Sequence, residues 1–281
     1  METGLDVPAA ARSARSTVAG LLWQQVRLSP HAVAVDDGAR RLDYAGFVDR
    51  ARRLAGLLAA RGVGRGDRVA ILSERRLEYL EAYFAAAWLG AVLACQNWRL
   101  SAGELRHCLE LVEPKAVLVS PRHRPKLDEL GRGGGALEFG AGYEADLAAA
   151  EPAGFDPLEA VDPEDPLLIL YTSGTTGLPK GAVISHRAEI VRNLVIRAEF
   201  GVAPEDAFAA WSPLYHMGAA ECSIGALMTG GKVIPVDGFD QARLAEVIAT
   251  EPLGWLLLMP AAPVAGLIGY VQARRLAKRL N

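Results

Sequence analysis

The feature that most constrains this chain is the order in which short apolar runs alternate with amphipathic segments. Residues 69–72, 91–94 and Ala116–Val119 each read as a short apolar strand. Between them lie Leu77–Leu89, closed by Gly90, and a segment running to about Val112 that Ser101 and Glu104 open with capping-box spacing. Upstream, Tyr44, Phe47, Val48, Ala51, Leu54, Ala55 and Leu58 follow Asp43 at helical spacing, with Gly62 as the stop. Strand–helix–strand order calls for a parallel sheet, because a parallel pair needs a crossover. Residues 167–170 form an unbroken apolar run, as expected of a strand covered on both faces. Further strands are expected at 181–185, 207–211, 232–235 and 255–259, with helices at 187–199, 219–228 and Gln241–Thr250. The fold class is therefore α/β, with mostly parallel sheets flanked by helices, and no internal repeat interrupts the pattern.

At 281 residues, 51% hydrophobic and 22% charged, the chain can bury a substantial core and is not wholly disordered. Its net charge of −3 gives no sign of a dedicated nucleic-acid binder. Cys95, Cys108 and Cys222 form no CxxC pair, and an odd, sparse set of thiols fits a reducing, cytoplasmic setting. Residues 1–17 read as a flexible N-terminus. Glu2 and Asp6, with no apolar stretch before Val18, do not make a secretory signal. The remainder, 18–281, reads as one partial domain. Within it the stretch 131–166 is expected to be a loosely ordered connection rather than a core element, since six of the twelve residues from 131 to 142 are glycine. Residues 252–273 carry no charge and precede Arg274, Arg275, Lys278 and Arg279, a pattern shared with membrane spans. Pro252, Pro260 and Pro263 break it, so a strand at 255–259 followed by a helix from about Ala262 is expected instead, with membrane association as the rival reading.

The chemically informative segment is 171–186, Tyr-Thr-Ser-Gly-Thr-Thr-Gly-Leu-Pro-Lys-Gly-Ala-Val-Ile-Ser-His. A buried strand feeds a loop with the hydroxyls of Thr172, Ser173, Thr175 and Thr176, the glycines Gly174 and Gly177, and Lys180. Glycines let backbone N–H groups approach an anion, hydroxyls add donors, and the lysine supplies a mobile positive charge. The spacing is not that of a Walker A loop. Lysine is scarce here, with five against 25 arginines, so its presence in this loop is informative. Composition alone leaves a polar surface turn as the alternative.

That segment resembles the signature phosphate loop of the adenylate-forming superfamily, which includes acyl-CoA synthetases. The resemblance extends to Leu42-Asp43-Tyr44, to Gly66-Asp67-Arg68-Val69-Ala70, to Asn97-Trp98-Arg99-Leu100 with Glu104-Leu105, and to Pro213-Leu214-Tyr215-His216-Met217-Gly218. It implies ATP, Mg²⁺ and coenzyme A as cofactors and a small carboxylic acid as substrate. The acid is activated as acyl-AMP and then passed to the thiol of coenzyme A. It further implies that Thr172, Ser173, Gly174, Thr175, Thr176, Gly177 and Lys180 hold phosphates and that His216 sits at the acyl and adenylate pocket, as the catalytic residue. His186 is expected to help start a helix rather than to act in chemistry. The Ala-rich segment after Gly218 points to an apolar acyl group. Complete members of the superfamily also have an aromatic-Gly-x-Thr-Glu motif, a Thr-Gly-Asp motif and a mobile C-terminal domain, and none of these is present in the 281 residues. The expectation is thus an N-terminal portion of such a ligase, self-associating through an exposed sheet. The alternative is a non-catalytic nucleotide-binding or interaction module.

Overall fold

The computed structural model describes residues 15–154, 161–172 and 177–257. The chain opens with α1 (Val18–Leu28), whose N-terminus is capped by Thr17, the side chain accepting from the Gly20 N–H. Thr17 is itself fully buried, so ordered packing begins before Val18. The antiparallel pair β1 (Val33–Asp36) and β2 (Arg41–Asp43) leads into α2 (Tyr44–Ala60), capped by Asp43. Then follow β3 (Arg68–Leu72), α3 (Leu77–Leu89), β4 (Val92–Cys95), α4 (Ala102–Val112) and β5 (Ala116–Val119). The short helix α5 (Arg124–Glu129), β6 (Leu137–Glu138) and α6 (Ala141–Ala149) complete the first half. The second half runs β7 (Pro166–Thr172), β8 (Lys180–Ser185), α7 (His186–Phe200), β9 (Ala207–Ala210), α8 (Met217–Thr229), β10 (Val233–Pro235), α9 (Gln241–Thr250) and β11 (Leu253–Trp255).

These strands form two sheets. One has the order β6-β5-β3-β4-β7-β8 and the other β11-β9-β10-β1-β2. All neighbouring pairs are parallel except β1/β2 and β7/β8. In the six-stranded sheet Ala70 stands opposite both Ala94 and Val117, and Leu93 opposite Leu168. On pattern alone the apolar runs 167–170, 207–211 and 255–259 fit a single sheet. The structure instead divides them: β7 pairs with β4 and β8, while β9 and β11 lie in the other sheet. An apolar run buried on both faces has the same appearance in either sheet, so the pattern along the chain does not encode the partner.

The core is centred on α3. All of its residues are buried, including Glu78 and Glu81, which are paired with arginines. Phe84 meets Phe47 of α2 edge-on at 5.8 Å. The Tyr44 hydroxyl donates to the Gly231 carbonyl at 2.7 Å, tying the start of α2 to the turn after α8.

A second correction concerns 131–166. Within it, β6 pairs parallel to β5, and Phe139, Tyr143 and Leu147 enter the main core. Tyr143 and Leu147, four residues apart on α6, share one face, and Phe139, just before the helix, meets Tyr143 edge-on at 5.2 Å. The surrounding glycines hide that stripe. The Tyr143 hydroxyl donates to buried Glu81 at 2.6 Å, and Glu144 accepts from Arg50 at 2.7 Å. The strand expected at 255–259 is instead Leu253–Trp255, ending where it was expected to begin, with 256 and 257 outside it. The last two expected positions and the expected helix from Ala262 lie outside the described residues. Among the described residues no helix is long and apolar enough to cross a membrane.

Candidate active site

Parallel strands carry their loops to a common end, and in open α/β sheets ligands bind beyond the carboxyl ends of the strands. Here the segments after β4, β7 and β9 converge on a cavity of about 220 Å³. Asn97, Leu100 and Glu104 line it from the connection between β4 and α4. Tyr171, Thr172, Gly177 and Pro179 line it from the β7–β8 hairpin, and His216 from the start of α8.

The hairpin explains the loop's shape. Strands β7 and β8 are antiparallel, with Thr172 opposite Lys180, so the segment between them must reverse direction within seven residues. Gly177 sits at φ +97°, where side-chain-bearing residues are strained. Lys180 is exposed at the mouth of the hairpin, free to swing toward a bound anion. Gly181 allows close packing, because a Cβ there would lie 2.9 Å from the Ile169 side chain. Of the expected phosphate-holding set, Thr172, Gly177 and Lys180 are thus brought to one loop. Ser173, Gly174, Thr175 and Thr176 lie outside the described residues.

His216 is the N-cap residue of α8, with its side chain making no cap bond. The residue is exposed, with its ring against that of Tyr215 at 4.5 Å between centroids. Desolvation, followed by the positive charges of Arg99 and Arg75, lowers its pKa. A neutral imidazole at the rim can donate or accept a hydrogen bond without adding charge. His186, by contrast, is fully buried, and its Nδ1 accepts from the Val18 N–H at 3.2 Å. Burial pushes its pKa down to about 4. The helix cap is Ser185, so His186 opens α7 and holds it to α1 rather than capping it.

Several contacts around the cavity involve residues to which the sequence reading gave no role, among them Gln96, Arg75, Arg122 and Asp237. Tyr171 accepts from Gln96 Nε2 at 2.9 Å and donates to the Cys108 carbonyl at 3.1 Å. Trp98 stacks on His123 at 5.3 Å, meets Tyr215 edge-on at 6.1 Å and carries the Arg99 guanidinium over its face at 5.0 Å. Arg75 and Arg122 both pair with Asp237, joining the segments after β3, β5 and β10. The signal that could have found them is position: all lie within a few residues of a parallel strand's carboxyl end. As for Mg²⁺, the described residues contain no group of three or more His, Cys, Asp or Glu able to hold a metal ion. Glu104 is the one acid lining the cavity, and its carboxylate is engaged by Ser101. The described donors thus do not by themselves form a cation site.

Comparison with known proteins shows the family. The family model "AMP-binding enzyme" matches residues 22–267. A feruloyl-CoA synthase from an Amycolatopsis species is 36% identical over 230 residues, covering 81% of this chain and 45% of that protein. A long-chain-fatty-acid–CoA ligase of Thermus thermophilus is 36% identical over 239 residues, covering 78% of this chain and 43% of the relative. Among solved structures, the inhibitor-bound N-terminal domain of FACL13 from Mycobacterium tuberculosis matches with a TM-score of 0.76 and 29% identity, covering 83% of this chain and 60% of that one. The chain therefore spans under half the length of these curated relatives. The chain belongs to the AMP-binding enzyme family.

Proposed function

We propose that this chain contributes the phosphate-handling half of a carboxylate–CoA ligase. A carboxylate oxygen attacks the α-phosphorus of ATP, the bond to the bridging oxygen breaks, and pyrophosphate leaves with the electron pair. The sulfur of coenzyme A then attacks the acyl carbon of the acyl-AMP, the bond to the AMP oxygen breaks, and AMP leaves as the thioester forms. The observation that carries this reading is the convergence of Thr172 and Gly177 from the loop with His216 on one cavity. Phosphoryl transfer of this kind needs positioning and charge neutralisation more than covalent participation. The loop's backbone N–H groups and hydroxyls, with Lys180, supply donors for the β- and γ-phosphates. His216, whose pKa is lowered by desolvation and by the charges of Arg99 and Arg75, is the residue assigned to the junction of the acyl and adenylate groups.

An apolar acid is the favoured substrate class. The sequence after Gly218 is Ala-rich, and Ala219, Ala220, Ile224 and Leu227 of α8 pack in the hydrophobic core that backs His216's helix. Relatives named for feruloyl and for long-chain fatty acyl groups are in keeping with that choice. Cys95 and Cys108 are buried free thiols, which fits a reducing cytoplasmic setting. The test is pyrophosphate release measured over a panel of aliphatic and aromatic acids, first with this chain alone and then with the C-terminal portion of a relative added. Release that needs both an acid and the Lys180 side chain supports the reading. Release that is independent of acid overturns it.

A further inference from the structure

Helix α4 has no role in the reading above, yet one of its faces lies along the phosphate hairpin. Glu104, His107, Cys108 and Leu111 follow the i, i+3, i+4, i+7 spacing of a single helical stripe. Glu104 lines the cavity. His107 Nε2 lies 3.2 Å from the Pro179 carbonyl, on the returning limb of the loop. The Cys108 carbonyl accepts from the Tyr171 hydroxyl on the outgoing limb. The Leu111 side chain lies 3.8 Å from where a Cβ on Gly181 would stand. Both limbs of the hairpin are therefore held by one helix, at the two residues flanking Thr172 and Lys180.

We propose that His107 is a positioning residue for the phosphate loop. A carbonyl can only accept, so the bond to Pro179 requires a proton on His107 Nε2. That bond fixes the peptide two residues after Gly177, whose φ of +97° sets the direction of the returning limb. The returning limb from Gly177 is thereby preorganised, and its N–H groups need less ordering when a phosphate arrives. The helix that supplies His107 is itself firmly started, by the reciprocal capping box of Ser101 and Glu104. This inference rests on the phosphate-binding reading of the loop.

The test compares the full chain with His107→Phe, which keeps the ring and loses the donor, and His107→Gln, which restores an N–H. Two measurements are made on each. Amide hydrogen exchange without ligand reads the clamp directly: His107→Phe should raise exchange in the 177–182 segment severalfold, and His107→Gln should recover much of the protection. Calorimetric titration with pyrophosphate, ATP and AMP reads its purpose. His107→Phe should weaken pyrophosphate and ATP roughly three- to tenfold, the worth of one hydrogen bond, and leave AMP unchanged. Unchanged exchange in His107→Phe overturns the clamp whatever the nucleotide does. Raised exchange with unchanged pyrophosphate affinity overturns the positioning role. If the unsubstituted chain takes neither pyrophosphate nor ATP, the phosphate reading fails and the positioning role fails with it, and the exchange data show separately whether the clamp exists.

Discussion

Glu189 is fully buried on α7 with one carboxyl oxygen accepting from Asn193 Nδ2 at 2.8 Å. Its other oxygen has no hydrogen-bond partner among the described residues. Burial, reinforced by the negative charge of Glu221, pushes its pKa up to about 8, against the smaller opposing influence of Asn193 and Arg192. The native state therefore keeps a proton that the unfolded chain releases near 4.5. Stability from this group is full below the unfolded value and is lost as pH rises through about 8. Glu189→Gln, a neutral isostere, should melt higher than the unsubstituted protein at pH 8.5 and close to it at pH 5. Thermal denaturation at the two pH values checks this, and an equal offset at both would contradict it. His186 acts in the opposite sense, since its pKa is lowered to about 4, so its contribution is full above 6.5 and is lost as pH falls to about 4. At the site, Lys180→Ala removes a mobile charge from the hairpin mouth. ATP affinity should fall about 10- to 100-fold by calorimetry, as expected for loss of a charge-assisted contact.

Among the elements, α4 gives a direct measure of local encoding. The Ser101 side chain accepts from the Glu104 N–H while Glu104 accepts from the Ser101 N–H. Ser101→Ala should cost about 0.5–2 kcal/mol in denaturant unfolding. That helix, along with α3 and α9, was readable to the residue, because caps, a following glycine and apolar periodicity all act within a few positions. Element α6 was not readable in this way. Phe139, Tyr143 and Leu147 carry its packing, but each stands among glycines, alanines and acids, and only tertiary contact shows that they are core. Phe139→Ala should destabilise the protein by about 3–5 kcal/mol, as truncation of a fully buried aromatic does, whereas a loose connection would tolerate it. Sheet membership was likewise unreadable. Residues 167–170 and 207–210 are both short buried runs, and their partners lie far away in sequence. At the site, the loop and His216 were legible from motif residues. His107, Gln96 and Arg75 were not, since a single histidine, glutamine or arginine carries no spacing that sets it apart.

For the whole molecule, the cavity sits on the seam between the sheets. Thr172 arrives on the six-stranded sheet and His216 follows β9 of the five-stranded one. The pair Arg75–Asp237 at 3.4 Å and the pair Arg122–Asp237 at 2.7 Å cross the same seam. A ligand touching both sides binds only the assembled state, so it must stabilise that state. At 100 times its dissociation constant, ATP should add about 2.7 kcal/mol to unfolding free energy. A melting temperature that does not move under saturating ATP would mean that no such ligand spans the seam.

That seam also divides the chain by inheritance. The loop and α4 come from the stretch between residues 96 and 186, whereas His216 and α8 come from the stretch after β9 begins at Ala207. Phosphate handling and acid choice are, on this reading, written in two consecutive passages of one gene. A single crossover between them would exchange His216 and α8 together while leaving the loop and α4 intact, so the two sets of contacts can be inherited from different parents.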